Sequence, residues 1–431
     1  MIYCKKQRNK YATNFEEDNF SNKKKGGYKM SLTVKPFLQP NEVRPLTRDD
    51  VTSYCGKALG MCYEQDNFDQ IMNEPAEVST KRAMGCIKSG HHSGFEHAKY
   101  TFVIEGLPKM LAMVLNNQRK YATSEKSGRY TVLDVKDEVE IALRKKWQDR
   151  FYEILHAKYY DDFYKFYTRP TRTIEKTKEL AETAIKKKAQ ENSRLITSVF
   201  APTKMLYSVD IRQLSYLRFE MKKFFEEAPG TPYYETLKEW MQEFIDETET
   251  YGMEEVGLNP AAKGVRLPLF AEPSEEEYGV NYSMTDMVTF ATYAQNQRHR
   301  TVKCTMQIPE TPTYFVPEFI KDNPEYVEEW LADMKSRTTD SDFPQGMMVI
   351  MNEKGDYQDF IQKTYERLCG QAQWEIMSVT KAQLERYLAN TTSPEVKAAL
   401  QKINCGARCM YGFKCTNPCV FGAKNALTRE F

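Results

Sequence analysis

Two stretches of the chain carry residues whose spacing invites chemistry. AQNQRHRTVKCT, from Ala294 to Thr305, sets Arg298, His299 and Arg300 side by side. LNNQRKYATSEKSGRY, from Leu115 to Tyr130, again places Asn-Gln-Arg at the end of an apolar run. Adjacent cations of this kind are either a solvated basic turn or a local site for an anion. The chain makes one kind of corner twice. A third group lies in CGARCMYGFKCTNPC, where Cys405, Cys409, Cys415 and Cys419 follow one another with three, five and three residues between them. Four thiolates could close a tetrahedral Zn site or hold an iron-sulfur cluster, with reduced thiols or a disulfide as alternatives.

The whole chain restricts what such residues can serve. Its 431 residues suffice for two or three domains, and 41% hydrophobic with 28% charged residues is ordinary for a folded protein. Sixty-one basic against 60 acidic residues leave a net charge of +1, so no global field draws the protein to nucleic acid or to a membrane. No apolar run has the length to span a bilayer and the N-terminus lacks the apolar core of a signal peptide, so a cytoplasmic location is expected. The other six cysteines are scattered singly and read as small buried hydrophobes.

The elements that must position these residues alternate between helix and strand. DVTSYCGKALGMCYEQ and STKRAMGCIKSG have helical spacing; KYTFVIEG alternates like a strand; LPKMLAMVLNNQRKYAT returns to helical spacing and ends in the first corner. A long helix is expected from Thr173 to Phe200, and SMTDMVTFATYAQNQRHRT is expected to be a helix that ends in the second corner. Five pieces follow: a disordered tail over 1–30, a first domain over 31–250, a linker over 251–281 punctuated by Gly and Pro, a second, abbreviated domain over 282–395, and a Cys-rich tail over 396–431.

GHHSGFEHAKYTFVIEG, then a helix, then NQRKYATSEKSGRY resembles the flavin-dependent thymidylate synthase family. That family's signature is Arg-His-Arg, seven residues, then Ser in a Ser-Gly-Arg-Tyr run. From Arg119 the frame holds, with Ser127, Gly128, Arg129 and Tyr130 in place and Glu125 two residues before the serine. Asn117 and Gln118 stand where the family has Arg and His. The second stretch has the reverse defect: Arg298-His299-Arg300 is intact, but Ile308 and Pro309 follow where Ser-Gly belongs. Downstream, ERLCGQAQWEI is similar to a family helix in which an Arg, here Arg367, lies five residues before Ala-Gln-Trp-Glu-Ile. The resemblance covers residues 50–220 and, more loosely, 283–385.

The resemblance implies an α/β fold of two fused half-domains with helices packed on a mixed sheet, and FAD-dependent methylation of dUMP to dTMP. Methylenetetrahydrofolate would be the carbon donor and NADPH the electron source. It assigns Glu125, Ser127, Gly128, Arg129, Arg194, Gln295, Arg298 and Arg367 to dUMP, with Arg367 and Arg298 catalytic. His91, Ser93, Glu96, Asp210, Arg212, Arg298, His299 and Arg300 would face the flavin, with Gly94 replacing the usual Pro and Asp210 the usual Asn. The family builds its sites between the subunits of a homotetramer. A duplicated chain needs each element once, so a homodimer with one flavin per chain is expected. The rival readings are a flavin- and folate-dependent hydroxymethylase of dUMP or dCMP, and a non-catalytic nucleotide- or flavin-binding regulator.

Overall fold

A computed structural model describes residues 31–62, 68–117, 120–129, 131, 135–259, 267–403, 406–411, 413–415 and 417–431. The expectation for the first 30 residues therefore lies outside the described residues, as do Gln118, Arg119, Tyr130 and Cys405.

The chain is an α/β protein with two four-stranded sheets. In the first, β1 (Thr33–Pro36), β2 (Lys99–Pro108), β3 (Tyr121–Glu125) and β4 (Pro202–Asp210) lie in the order β1-β2-β4-β3. Before β2 come α1 (Arg48–Gly60), α2 (Phe68–Asn73) and α3 (Ala76–Lys88). The central strand β2 buries Tyr100, Phe102 and Ile104 on one face, the alternation its sequence announces. It bulges between Ile104 and Leu107, where Gly106 has φ +69° and a Cβ would stand 2.8 Å from the Ser31 carbonyl oxygen.

From β2 the chain enters α4 (Lys109–Asn117), a helix buried on nearly every side, and emerges as β3. Two long helices, α5 (Glu138–Tyr167) and α6 (Ile174–Ser193), lead to β4, followed by α7 (Ile211–Glu227) and α8 (Pro232–Glu247).

The second sheet repeats the plan. β5 (Glu277–Tyr278), β6 (Asn281–Thr289), β7 (Lys303–Gln307) and β8 (Met348–Asp356) lie in the order β5-β6-β8-β7. A short helix α9 (Phe290–Asn296) connects β6 to β7 as α4 connects β2 to β3, and α10 (Pro324–Ser336) occupies the place of the α5–α6 pair. After β8 come α11 (Tyr357–Arg367), α12 (Trp374–Asn390) and α13 (Pro394–Ile403). Both corners thus leave the end of a helix running between two strands of one sheet.

Every strand pairing is antiparallel, where a mixed sheet was expected. The reason is that β4 and β8 return between the two strands of each strand-helix-strand unit. Three helices are shorter than their spacing suggested. SMTDMVT is strand β6, because it pairs along its whole length with β8 and because Thr289 caps α9 by accepting the Thr292 N–H. Likewise Tyr121–Glu125 is strand rather than the end of a helix, and α6 stops at Ser193 in a 3-10 turn.

One apolar core runs through both sheets, from Leu32 to Ile403. It takes in Leu258, Leu267 and Leu269 of the segment over 251–281. A second cluster joins the halves from outside: Trp147 of α5 meets Trp330 of α10 edge to face at 5.0 Å, and the Trp147 indole N–H donates to Asp333 at 2.7 Å. Among the described residues no helix is long and apolar enough to cross a membrane.

Candidate active site

The two corners meet. Glu125, at the end of β3, is a buried carboxylate that takes Lys109 from the start of α4 on one oxygen. On the other it takes Arg298, from the corner after α9, and Asn116 at 3.3 Å. Burial lowers the Lys109 pKa, and Glu125 opposes that shift. Residues of the first and second sheets therefore share one ion cluster within one chain.

A second link lies alongside. The Gln373 side-chain oxygen accepts from Arg194 at 2.7 Å and from the Gln295 amide at 2.6 Å. Arg194 comes from the turn after α6, Gln295 from α9, and Gln373 directly precedes α12. Glu375 fixes α9 by accepting the Thr289 N–H and hydroxyl, both at 2.7 Å. The Gln295 side-chain oxygen is buried with no hydrogen-bond partner among the described residues. Its main-chain carbonyl accepts from Arg367 at 2.7 Å.

The Ser127-Gly128-Arg129 turn faces the same cluster. The Arg129 N–H donates to the Ser127 hydroxyl at 3.3 Å; its side chain reaches Glu191 of α6 and, at 2.9 Å, the Gln371 carbonyl. A Cβ on Gly128 would stand 3.3 Å from the Arg194 guanidinium, so glycine lets that guanidinium lie against the turn. Burial alone would raise the Glu191 pKa, yet Lys188, Arg129 and Arg194 together hold it at about 2. Burial brings both Arg194 and Arg367 down to about 10, so both stay cationic at neutral pH. Such a set of guanidinium groups around a Ser-Gly turn suits a phosphate.

His299 is an acceptor in this arrangement. Its Nε2 takes the Arg367 Nε–H at 2.7 Å, and burial, with Arg367 and Lys363 nearby, pushes its pKa down to about 2. A neutral imidazole holding Arg367 in one orientation is the result.

Beside the cluster lies a cavity of about 790 Å³ between the two sheets, within the range of cofactor sites. Lys120, Arg212, Arg300, Lys303 and Lys354 line it against Glu96, Asp210 and Glu272, an excess of cations. Arg300 lies over the Tyr121 ring at 5.1 Å, and Glu96 pairs with Lys120 and, at 2.6 Å, with Arg212. Two buried polar atoms of its wall, Asn116 Oδ1 and Gln213 Nε2, have no hydrogen-bond partner among the described residues. An anionic ligand with polar ring edges fits these residues.

Of the residues expected at a flavin, Glu96, Asp210, Arg212 and Arg300 line this cavity, while Arg298 and His299 sit in the ion cluster next to it. His91 and Ser93 do not line it; His92 does, and Ser93 is exposed on a 3-10 turn. Asp210 also caps α7 by accepting the Gln213 N–H at 2.7 Å, work that either Asp or Asn performs. Gly94 packs so closely that a Cβ would stand 2.3 Å from Leu59, which explains why a larger residue is missing there.

The metal expectation does not hold among the described residues, where no group of three or more His, Cys, Asp or Glu could hold an ion. Cys409 and Cys415 are exposed, whereas Cys419 packs against Gly370, so the three thiols do not converge. Cys405 lies outside the described residues. Lys109, Gln371, Gln373 and Glu191 were missed from sequence. The available signals were a lone lysine opening an apolar helix and two glutamines flanking Ala372.

Residues 47–222 match the family model described as thymidylate synthase complementing protein. Two curated relatives are each named flavin-dependent thymidylate synthase. The one from Clostridium tetani is 24% identical over 164 residues, covering 36% of this chain and 64% of the relative. The one from Pyrococcus furiosus is 25% identical over 157 residues, covering 36% and 57%. The match thus spans less than two thirds of either relative. Among solved structures, Thymidylate Synthase X from Helicobacter pylori with FAD and dUMP aligns at 16% identity and a TM-score of 0.30, covering 52% of this chain and 98% of that one. The UMP/dUMP methylase PolB from Streptomyces cacaoi with 5-Br dUMP aligns at 17% and 0.26, covering 43% and 76%.

Proposed function

We propose, from the family match over residues 47–222, that the chain methylates dUMP to dTMP with FAD, methylenetetrahydrofolate and NADPH. The observation that carries this reading is the junction of the two corners: Glu125 and Arg194 of the first half meet Arg298 and Gln295 of the second in one chain.

Ser127, Gly128, Arg129 and Arg194 hold the nucleotide phosphate, the two guanidinium groups by charge-assisted bonds and the turn by close approach of its backbone. Gln295, with its free side-chain oxygen, meets the pyrimidine or sugar. Arg298 is held by Glu125 at the boundary between the nucleotide and the large cavity. Arg367, oriented by neutral His299, offers its charge to the pyrimidine where negative charge develops. The cavity residues Lys120, Arg212 and Arg300 hold the cofactor, and Asn116 and Gln213 offer it unused polar atoms. The flavin, when bound, supplies the reducing equivalents and the one-carbon relay. The protein's share is orientation, charge and exclusion of water.

Each chain then completes one site, and two chains form a homodimer in the cytoplasm with two flavins. The test is purification, a flavin absorbance spectrum per chain, and mass analysis of the product made from dUMP and methylenetetrahydrofolate. A colourless protein that takes up no FAD refutes the reading, and a product carrying a hydroxymethyl group transfers it to the rival enzyme.

A further inference from the structure

A second cavity, of about 510 Å³, lies between the end of α7 and the exit of β7. Strand register shows what it is. Glu125 pairs with Met205, five residues before Asp210, the cap of α7; Met306 pairs with Met351, five residues before Asp356, the cap of α11. Met306 therefore stands where Glu125 stands, and the residues after it replace the phosphate-type turn one for one: Ile308 for Ser127, Pro309 for Gly128, Glu310 for Arg129. Pro309 offers no N–H, and Glu310 puts a carboxylate in the place of a guanidinium. The second cavity is the counterpart of the first site with its charge inverted.

Its wall carries four carboxylates, Glu220, Glu227, Glu272 and Glu310, against Lys223, which pairs with Glu227 at 3.7 Å. Glu220 is 1% exposed, and among the described residues no donor reaches either of its oxygens. Burial raises its pKa to about 7, against the charge of Lys223 and with that of Glu227. Next to it Phe224 stacks on Phe270 at 5.0 Å, and Tyr234 meets Phe270 edge to face at 5.8 Å. A buried acceptor beside aromatic faces is the setting that recognises an organic cation.

We propose that this cavity binds a small organic ammonium ion, with its charge on Glu220 and its apolar stem against Phe224, Tyr234 and Phe270. The inference does not depend on the nucleotide reading, because it is tested without nucleotide. The whole protein is titrated calorimetrically with n-butylammonium and 1,4-diaminobutane, and with butyrate as the anion control. Saturable binding of the amines and none of butyrate is expected, with affinity falling at least ~10-fold in Glu220→Gln, equivalent to about 1.4 kcal/mol. Phe270→Leu should weaken binding several-fold, and it decides the matter if Glu220→Gln does not fold. No saturable heat with either amine overturns the proposal, as does binding that neither substitution changes.

Discussion

Gln373 joins Arg194 to Gln295 across the site, and replacing it separates stability from nucleotide binding. Its oxygen accepts from Arg194 at 2.7 Å and from Gln295 at 2.6 Å, and the residue is buried. Gln373→Ala removes one bond to a charged donor, about 1.5–3 kcal/mol, and one neutral bond, about 0.5–1.5 kcal/mol. A loss of about 2–4.5 kcal/mol in folding stability is expected. Gln373→Glu keeps the oxygen that accepts both bonds and adds a negative charge at Arg194. At an effective dielectric near 20, unit charges about 4 Å apart attract by roughly 4 kcal/mol before desolvation. Phosphate must compete with that attraction, so dUMP should bind about 10- to 100-fold more weakly, or about 1.4–2.8 kcal/mol. Urea denaturation and dUMP calorimetry on both variants make the test. An alanine variant as stable as the parent refutes the joint, and a glutamate variant that binds dUMP unchanged shows that Arg194 does not meet the phosphate.

Arg129→Ala should weaken dUMP binding by about 1.5–3 kcal/mol while leaving FAD uptake nearly intact; equal losses for both ligands in calorimetry would remove the turn from the phosphate. Arg298→Ala should abolish turnover and strip the flavin, because it removes the guanidinium that pairs with Glu125 at the edge of the large cavity; a variant purified with full flavin absorbance contradicts this. His299 falls from 6.5 to about 2 on folding, so the unfolded chain takes the proton first and stability is lost as pH drops below about 6.5, by about 1.4 kcal/mol per pH unit. His299→Gln should flatten that slope in acid melts, and parallel slopes would show that His299 is not its source. Glu220 rises from 4.5 to about 7, so the folded state keeps its proton longer and stability falls as pH climbs through that window. Glu220→Gln should accordingly raise the melting temperature at pH 8 and leave it unchanged at pH 4; an equal shift at both values would assign the gain to packing.

The candidate corner was legible where its residues are neighbours in sequence. Arg298, His299 and Arg300 stand together in the sequence, and the Glu125-to-Arg129 run keeps its order in space. The α/β character was legible too, because β2 alternates and α1 and α3 are periodic. What escaped was set by distant partners. SMTDMVT has no clear period of two, and its strand form comes from pairing with β8. Gln373 looks like any helix-start glutamine until Arg194 and Gln295 arrive from separate elements. Lys109 reads as a surface lysine until Glu125 is placed over it. The cysteine spacing suggested convergence, but the exposed loop leaves Cys409 and Cys415 facing solvent.

The edge-to-face pair formed by Trp147 and Trp330 gives the protein an optical gauge. The chain has four tryptophans, and two of them face each other across the outer seam at 5.0 Å and 88°, each with its indole N–H bonded to a group of the second half. Rings so close and so nearly perpendicular couple their electronic transitions, and a fixed chiral arrangement gives that coupling a sign in near-ultraviolet circular dichroism. Loosening of the seam abolishes the signal while the helical signal in the far ultraviolet persists. The closing of this seam can thus be followed by light, without a label, separately from the helical content of the chain.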